Sequence, residues 1–221
     1  VMLASRSQVD VIDSHALRDF LELHEPNWII NATAYTAVDK AETEILQAYS
    51  VNEHAVRVLA EYCADNNSSL IHISTDYVFD GRGVRPFCED SEVAPLGIYG
   101  ASKLAGEEAI KSTVKRYIIL RTAWVFGVSG GNFVKTMLRL AETRGELRVV
   151  GDQHGAPTSA TGIAKTIVSL LSHMSSAGIS DKRWGTYHYT GEPFVSWAEF
   201  ANEIFGQALD RGLLSTPPRV S

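Results

Sequence analysis

The residues in this chain that most plainly suggest chemistry are Tyr99 and Lys103, four positions apart. On a helix that spacing sets a phenol and an ammonium on one face, one turn apart. A free phenol titrates near pH ~10 and is a poor acid–base partner at neutrality. A fixed cation beside it would favour the phenolate and draw that value down. A Tyr-x-x-x-Lys pair alone is weak, because surface helices contain it by chance, so its context decides. Upstream, Leu70-Ile71-His72-Ile73-Ser74 reads as a buried strand that delivers the Thr75 hydroxyl at its end. A strand-end hydroxyl and a phenol from the next helix can converge on one carbonyl oxygen. That arrangement protonates the oxygen while hydride arrives at its carbon.

Positioning these groups requires an α/β scaffold. Apolar runs at 28–32, 70–74 and 117–120 read as buried parallel strands, with shorter strands at 147–150 and 186–189. Amphipathic stretches between them predict helices over 45–65, 99–111, 133–143, 161–173 and 196–209, and an earlier one capped by Ser14. Residues 1–4 read as the tail of a strand, and 79–96, rich in Gly, Pro and charge, as a loop. His72 reads as a packing residue of its strand. The alternation predicts a doubly wound, Rossmann-type parallel sheet with a small C-terminal substrate-binding lobe. The dinucleotide-binding part is expected over 1–126, with 146–190 partly returning to it, and the lobe over 127–145 and 191–221. Ligands of such sheets bind beyond the carboxyl ends of the strands, which directs attention to 5–7, 33–36, 74–76 and 121–124.

Composition narrows the function classes. Of 221 residues, 45% are hydrophobic and 21% charged, as in ordinary globular chains. A formal charge of −6 argues against a broad surface for nucleic acid or anionic membrane. Cys63 and Cys88 form no metal-type pair, and the His residues show no ligand spacing, so no metal is expected. A reduced, cytoplasmic protein is the simplest reading. No apolar run is long enough to span a membrane, and no signal peptide is visible.

Three segments carry a family resemblance: Asn31-Ala32-Thr33-Ala34-Tyr35-Thr36-Ala37-Val38-Asp39-Lys40-Ala41-Glu42, Ser74-Thr75-Asp76-Tyr77-Val78-Phe79-Asp80-Gly81, and Tyr99-Gly100-Ala101-Ser102-Lys103-Leu104-Ala105-Gly106-Glu107. Together they closely resemble the dTDP-4-dehydrorhamnose reductase family of extended short-chain dehydrogenases. The resemblance continues through Arg121-Thr122-Ala123-Trp124-Val125-Phe126, Asn132-Phe133-Val134-Lys135-Thr136-Met137 and Asp152-Gln153-His154-Gly155-Ala156-Pro157-Thr158, in family order over nearly the whole chain.

The resemblance implies an NADPH-dependent reductase, with NADH possible, acting on the C4 keto group of a dTDP-linked deoxysugar for cell-surface polysaccharide such as lipopolysaccharide O antigen. It implies Tyr99 as proton donor, Lys103 as its partner and ribose ligand, and Thr75 as carbonyl ligand. Asp10 and Val11 would flank the adenine, and Ala34, Tyr35 and Thr36 would line the cofactor. Asp76 either touches the sugar nucleotide or caps its turn, and Trp124 either touches it or packs in the core. Asn132, at an expected helix start, binds diphosphate or caps the helix. Arg6, between Ser5 and Ser7, is either an exposed loop residue or the partner of a 2′-phosphate, where NAD enzymes carry an acidic residue. Asp39, Lys40 and Glu42 read as a solvated or structural loop.

The family's glycine-rich G-x-x-G-x-x-G turn and its C-terminal stretch lie outside this sequence, so a longer protein at both ends is expected. Where some family members are described with bridging magnesium at a dimer contact, Thr161 is not acidic. A homodimer is compatible with the reading. Two rivals remain: a regulatory subunit resembling methionine adenosyltransferase β, and a reductase of a different nucleotide sugar.

Overall fold

The computed structural model describes residues 1–83 and 85–221. The chain divides into two compact units, one of residues 1–121 with 173–188 and one of 122–172 with 189–221.

In the first unit, helix α1 (Ser14–His24) is followed by strand β1 (Trp28–Asn31), the short helices α2 (Val38–Ala41) and α3 (Ile45–Tyr49), and helix α4 (Ala55–Asp65). Strand β2 (Ser69–Thr75), helix α5 (Ile98–Thr113) and strand β3 (Tyr117–Thr122) come next. The sheet order is β1, β2, β3 and the strand Gly185–His188. β1 runs parallel to β2, with Trp28 opposite Ser69 and Asn31 opposite His72, and β3 runs parallel to Gly185–His188. The expected α/β parallel sheet is therefore present. β2 is buried along almost its whole length, which is why it reads as a continuous apolar run rather than an alternating one. Leu17 and Leu21 of α1, Val56, Leu59 and Tyr62 of α4, Leu70, Ile110 and Ile119 form the core of this unit.

Three local expectations are revised. Residues 1–4 are exposed and form no strand: no described strand pairs with them, and a strand needs a ladder partner for its backbone groups. The cap of α1 is Asp13, whose carboxylate accepts from the His15 and Ala16 N–H groups at 3.1 and 3.0 Å, one residue before Ser14. The predicted helix over 45–65 is interrupted by a π-helical turn, Ser50–His54. The wider turn carries the fully buried Asn52. Its side chain accepts from the Tyr35 N–H at 2.9 Å and donates to the Tyr35 carbonyl at 3.1 Å and to the Ser102 hydroxyl at 3.0 Å. The turn thus pins the loop after β1 to α5, the kind of use to which π-bulges are put.

In the second unit, α6 (Phe133–Ala141) packs with α8 (Trp197–Asp210) around Met137, Leu147, Ala201, Ile204 and Phe205, and α7 (Ala160–Met174) leads back to the first unit. Its strands are short pairs: Val125–Phe126 with Thr158–Ser159, Glu146–Leu147 with Arg219–Val220, and His154–Gly155 with Val195–Ser196. A capping box between Ser196 and Glu199 starts α8.

The packing of α5 rests on two glycines. A Cβ on Gly106 would lie 2.2 Å from the Asn52 carbonyl oxygen, and one on Gly100 would lie 2.2 Å from that of Tyr77. Both obstacles are backbone, which cannot swing aside. Gly106→Ala should therefore destabilise the protein by about 3 kcal/mol, the upper end of ordinary overpacking. Chemical denaturation of the variant measures this, and an unchanged midpoint would contradict the close approach.

Candidate active site

Thr75 ends β2, and a single 3-10 turn, Asp76–Val78, follows it. The Thr75 hydroxyl accepts from the Tyr77 N–H at 3.1 Å and donates to the Asp76 carboxylate at 3.1 Å. Burial raises the Asp76 pKa, and its hydrogen bond with Thr75 works against that shift. Asp76 is thus part of the turn structure and, at the same time, partly open to solvent.

α5 enters beside this turn. Its cap position is Gly97, with no side chain to offer, and Glu42 supplies the missing acceptor by receiving the Ile98 N–H at 2.8 Å. Glu42 is accordingly a structural residue of its loop. Tyr99, in the first turn, meets Tyr77 edge to face at 5.4 Å between ring centroids. The Tyr99 phenol is pushed up to about 12, first by burial, with Thr75 pulling down and Asp76 and Tyr77 adding to the rise. A drop caused by Lys103, as the spacing alone predicts, is not what the structure shows. The phenol remains protonated through neutral pH.

Lys103 lies one turn further on, and its side chain is 1% exposed. Its Nζ donates to the Ile73 carbonyl at 2.6 Å and stands 3.2 Å from His72 Nε2. Burial brings its pKa down to about 8, with Glu107 opposing. Tyr99 therefore stands near Thr75 at the end of β2, the Lys103 amine bonds further back along the strand at Ile73 and His72, and burial is the first influence on both titrations.

The residues expected at the cofactor divide into two groups. Ala34, Tyr35 and Thr36 follow β1, with the Tyr35 backbone held by Asn52 and its phenol donating to Glu44. Arg6 is exposed and 3.6 Å from Asp10. Asp10 accepts from the Ile12 N–H at 3.3 Å, and Val11 packs on the core. In the second unit, Trp124 has a left-handed backbone (φ 47°), stacks on Trp197 with centroids 3.4 Å apart and is partly exposed. Its indole occupies the space a side chain at Gly155 would need. Asn132 caps α6, accepting from the Lys135 N–H at 3.2 Å and donating to the Gly127 carbonyl at 2.7 Å.

Sequence reasoning overlooked several polar residues beneath the site. Asn31, Asn52, His72, Glu107 and Arg121 are all buried. Glu107 takes a two-pronged ion pair from Arg121 at 2.9 and 2.7 Å and a hydrogen bond from Ser74 at 2.6 Å. Among the described residues, no group of three or more His, Cys, Asp or Glu could hold a metal ion, and no helix is long and apolar enough to cross a membrane.

Comparison with known proteins shows the family. A family model described as RmlD substrate binding domain matches residues 1–218. A dTDP-4-dehydrorhamnose reductase of Aggregatibacter actinomycetemcomitans is 42% identical over 221 residues, all of this chain and 74% of the relative. The crystal structure of a dTDP-4-dehydrorhamnose reductase from Clostridium acetobutylicum superposes with a TM-score of 0.90 at 36% identity, over 100% of this chain and 74% of that one. The Bacillus anthracis enzyme, solved in complex with NADP, gives 0.87 at 36% identity, over 98% of this chain and 72% of its own. On the match to residues 1–218 and on these likenesses, the chain belongs to the RmlD substrate binding domain family, that of the dTDP-4-dehydrorhamnose reductases.

Proposed function

We propose that this chain is an NADPH-dependent reductase of the C4 keto group of dTDP-4-dehydro-6-deoxy-L-mannose, giving dTDP-L-rhamnose. The observation that carries the reading is the partly exposed Tyr99 phenol beside the Thr75 hydroxyl at the carboxyl end of β2. A hydroxyl pair at that edge suits a carbonyl oxygen that must gain a proton.

The dinucleotide would supply the hydride. Thr33 to Thr36 stand past the end of β1, where such sheets accept ligands, and the Asn52 clamp holds that loop in place. The Arg6 guanidinium, held among the described residues by its 3.6 Å contact with Asp10, is available for a 2′-phosphate. Asp10 and Val11 flank the adenine side in this reading. Lys103 retains an N–H beyond its bond to Ile73, and that donor serves the ribose.

On the substrate side, Thr75 holds the keto oxygen and Tyr99 delivers the proton to it. Asp76 contacts the sugar nucleotide from the turn, and Trp124 and Asn132 of the second unit are assigned to the same ligand on the family resemblance alone. The free thiols of Cys63 and Cys88 fit a cytoplasmic location. Homodimer formation belongs to the same proposal. No observation favours the regulatory-subunit reading.

Two measurements test the assignment. Tyr99→Phe should lower turnover of the keto sugar by about a hundredfold or more, the scale for losing a general acid, with dinucleotide affinity almost intact. Near-normal turnover would remove Tyr99 from the chemistry. Arg6→Ala should raise KM for NADPH by roughly tenfold and leave that for NADH unchanged, on the scale of one lost charge-assisted contact. Equal constants for both cofactors, unaltered by the substitution, would dismiss Arg6 as their discriminator.

A further inference from the structure

A run of buried polar groups links the end of β1 to Lys103, and two of its members have no part in the reaction proposed above. Asn31 is 3% exposed, His72 0% and Lys103 1%. Parallel register places Asn31 opposite His72. Asn31 Nδ2 lies 3.0 Å from His72 Nδ1, His72 Nε2 lies 3.2 Å from Lys103 Nζ, and Lys103 Nζ lies 2.6 Å from the Ile73 carbonyl.

The direction of these bonds is fixed at one end. The Thr33 backbone N–H can only donate, and it reaches Asn31 Oδ1 at 3.0 Å. The Thr33 hydroxyl donates to the same oxygen at 2.6 Å. Turning the amide over would set its NH2 against that N–H, so Nδ2 faces His72 as a donor. His72 Nδ1 must then accept. A neutral imidazole carries one proton, which places it on Nε2, aimed at Lys103. A lysine nitrogen can accept it only as the neutral amine, which still donates to Ile73.

The opposite assignment conflicts twice. An ammonium at Lys103 would make His72 Nε2 the acceptor and move the ring proton to Nδ1, against the Asn31 NH2. It would also leave a buried charge without a carboxylate in contact, an expensive state. Among the described residues no ion pair includes Lys103, and Glu107, the carboxylate that acts on it, is taken by Arg121 and Ser74. The groups facing the pair are thus Asn31 and Lys103 around His72, and His72 and Glu107 around Lys103. Burial, the largest influence on it, keeps His72 well below its ordinary value and therefore neutral. Burial likewise lowers Lys103 to about 8.

We propose that Asn31 and His72 are positioning residues for Lys103: the donor chain from Thr33 through Asn31 imposes the Nε2–H tautomer on His72, and that tautomer selects the neutral amine of Lys103. Lys103 then changes charge close to working pH instead of remaining a permanent cation. The inference rests on the proposed function only for its kinetic consequence.

Nuclear magnetic resonance of the protein tests it without an assay. Imidazole 15N shifts, with His72 assigned by its loss in His72→Gln, should show Nε2–H and no protonation down to pH 6. Side-chain 13C shifts of labelled lysine, with Lys103 assigned by Lys103→Met, should titrate more than about two units below the ordinary lysine value of ~10.4. Asn31→Asp offers two acceptors, so it should invert the ring to Nδ1–H and raise the Lys103 midpoint by about one unit or more, the size of shift a changed partner produces. In turnover of the keto sugar, His72→Gln should move the kcat midpoint belonging to Lys103 upward and leave KM for the dinucleotide unchanged. A proton on His72 Nδ1 in the unaltered protein, or a Lys103 midpoint at the ordinary value, would overturn the proposal. Absent turnover with the predicted shifts in place would instead fault the assigned reaction.

Discussion

The arrangement depends on how closely α5 is allowed to approach the strand and turns beneath it. Gly100 meets the Tyr77 carbonyl and Gly106 meets the Asn52 carbonyl at distances no other residue could tolerate. That approach buries Ser102, Lys103 and Glu107 on one helical face. It also sets Tyr99, at the helix entry, against the turn that follows Thr75. The same contact recruits Asn52, which locks the loop after β1 to α5. Positioning of the site is therefore a consequence of backbone proximity, and the polar network exists because proximity placed polar groups out of water.

Two charged residues on that face meet burial in different ways. Glu107 is fully buried and remains a carboxylate, since Arg121 bonds both of its oxygens and Ser74 adds a third donor. Its pKa is lowered, with burial as the largest single influence pushing the other way and the Arg121 and Ser74 bonds overcoming it together. Lys103, one turn away, has carbonyl and imidazole partners but no anion in contact, and burial prevails. Carboxylate and amine thus differ in state because the strands below them supply an arginine to one and an uncharged histidine to the other.

Much of this was legible in the sequence. The long elements were clear because their periodicity is strong: the helix expected over 99–111 is found at Ile98–Thr113, and the one over 196–209 at Trp197–Asp210. Thr75, Tyr99 and Lys103 stood out as candidates because residue type, helical spacing and a strand end pointed to the same edge. The π-helical turn at Ser50–His54 was not legible, since one inserted residue leaves an apolar pattern almost intact while shifting which side chain points inward. Asn31 and His72 were missed for a different reason. A histidine inside an apolar strand reads as packing until the register of the neighbouring strand places an amide against it.

Spacing also gave a misleading sign for Tyr99. Four residues on a helix place two side chains on one face, but they fix neither the direction of each nor the dielectric around it. In the structure the Lys103 amine turns beneath β2 toward Ile73 and His72, while the Tyr99 phenol stays at the partly open edge with Thr75, Asp76 and Tyr77. With the Lys103 amine directed elsewhere, the phenol responds to burial and to the Asp76 carboxylate, both of which favour the protonated form. A proton donor needs its proton at the start of the reaction, so this environment suits reduction of a carbonyl better than a phenolate held ready by a neighbouring charge would.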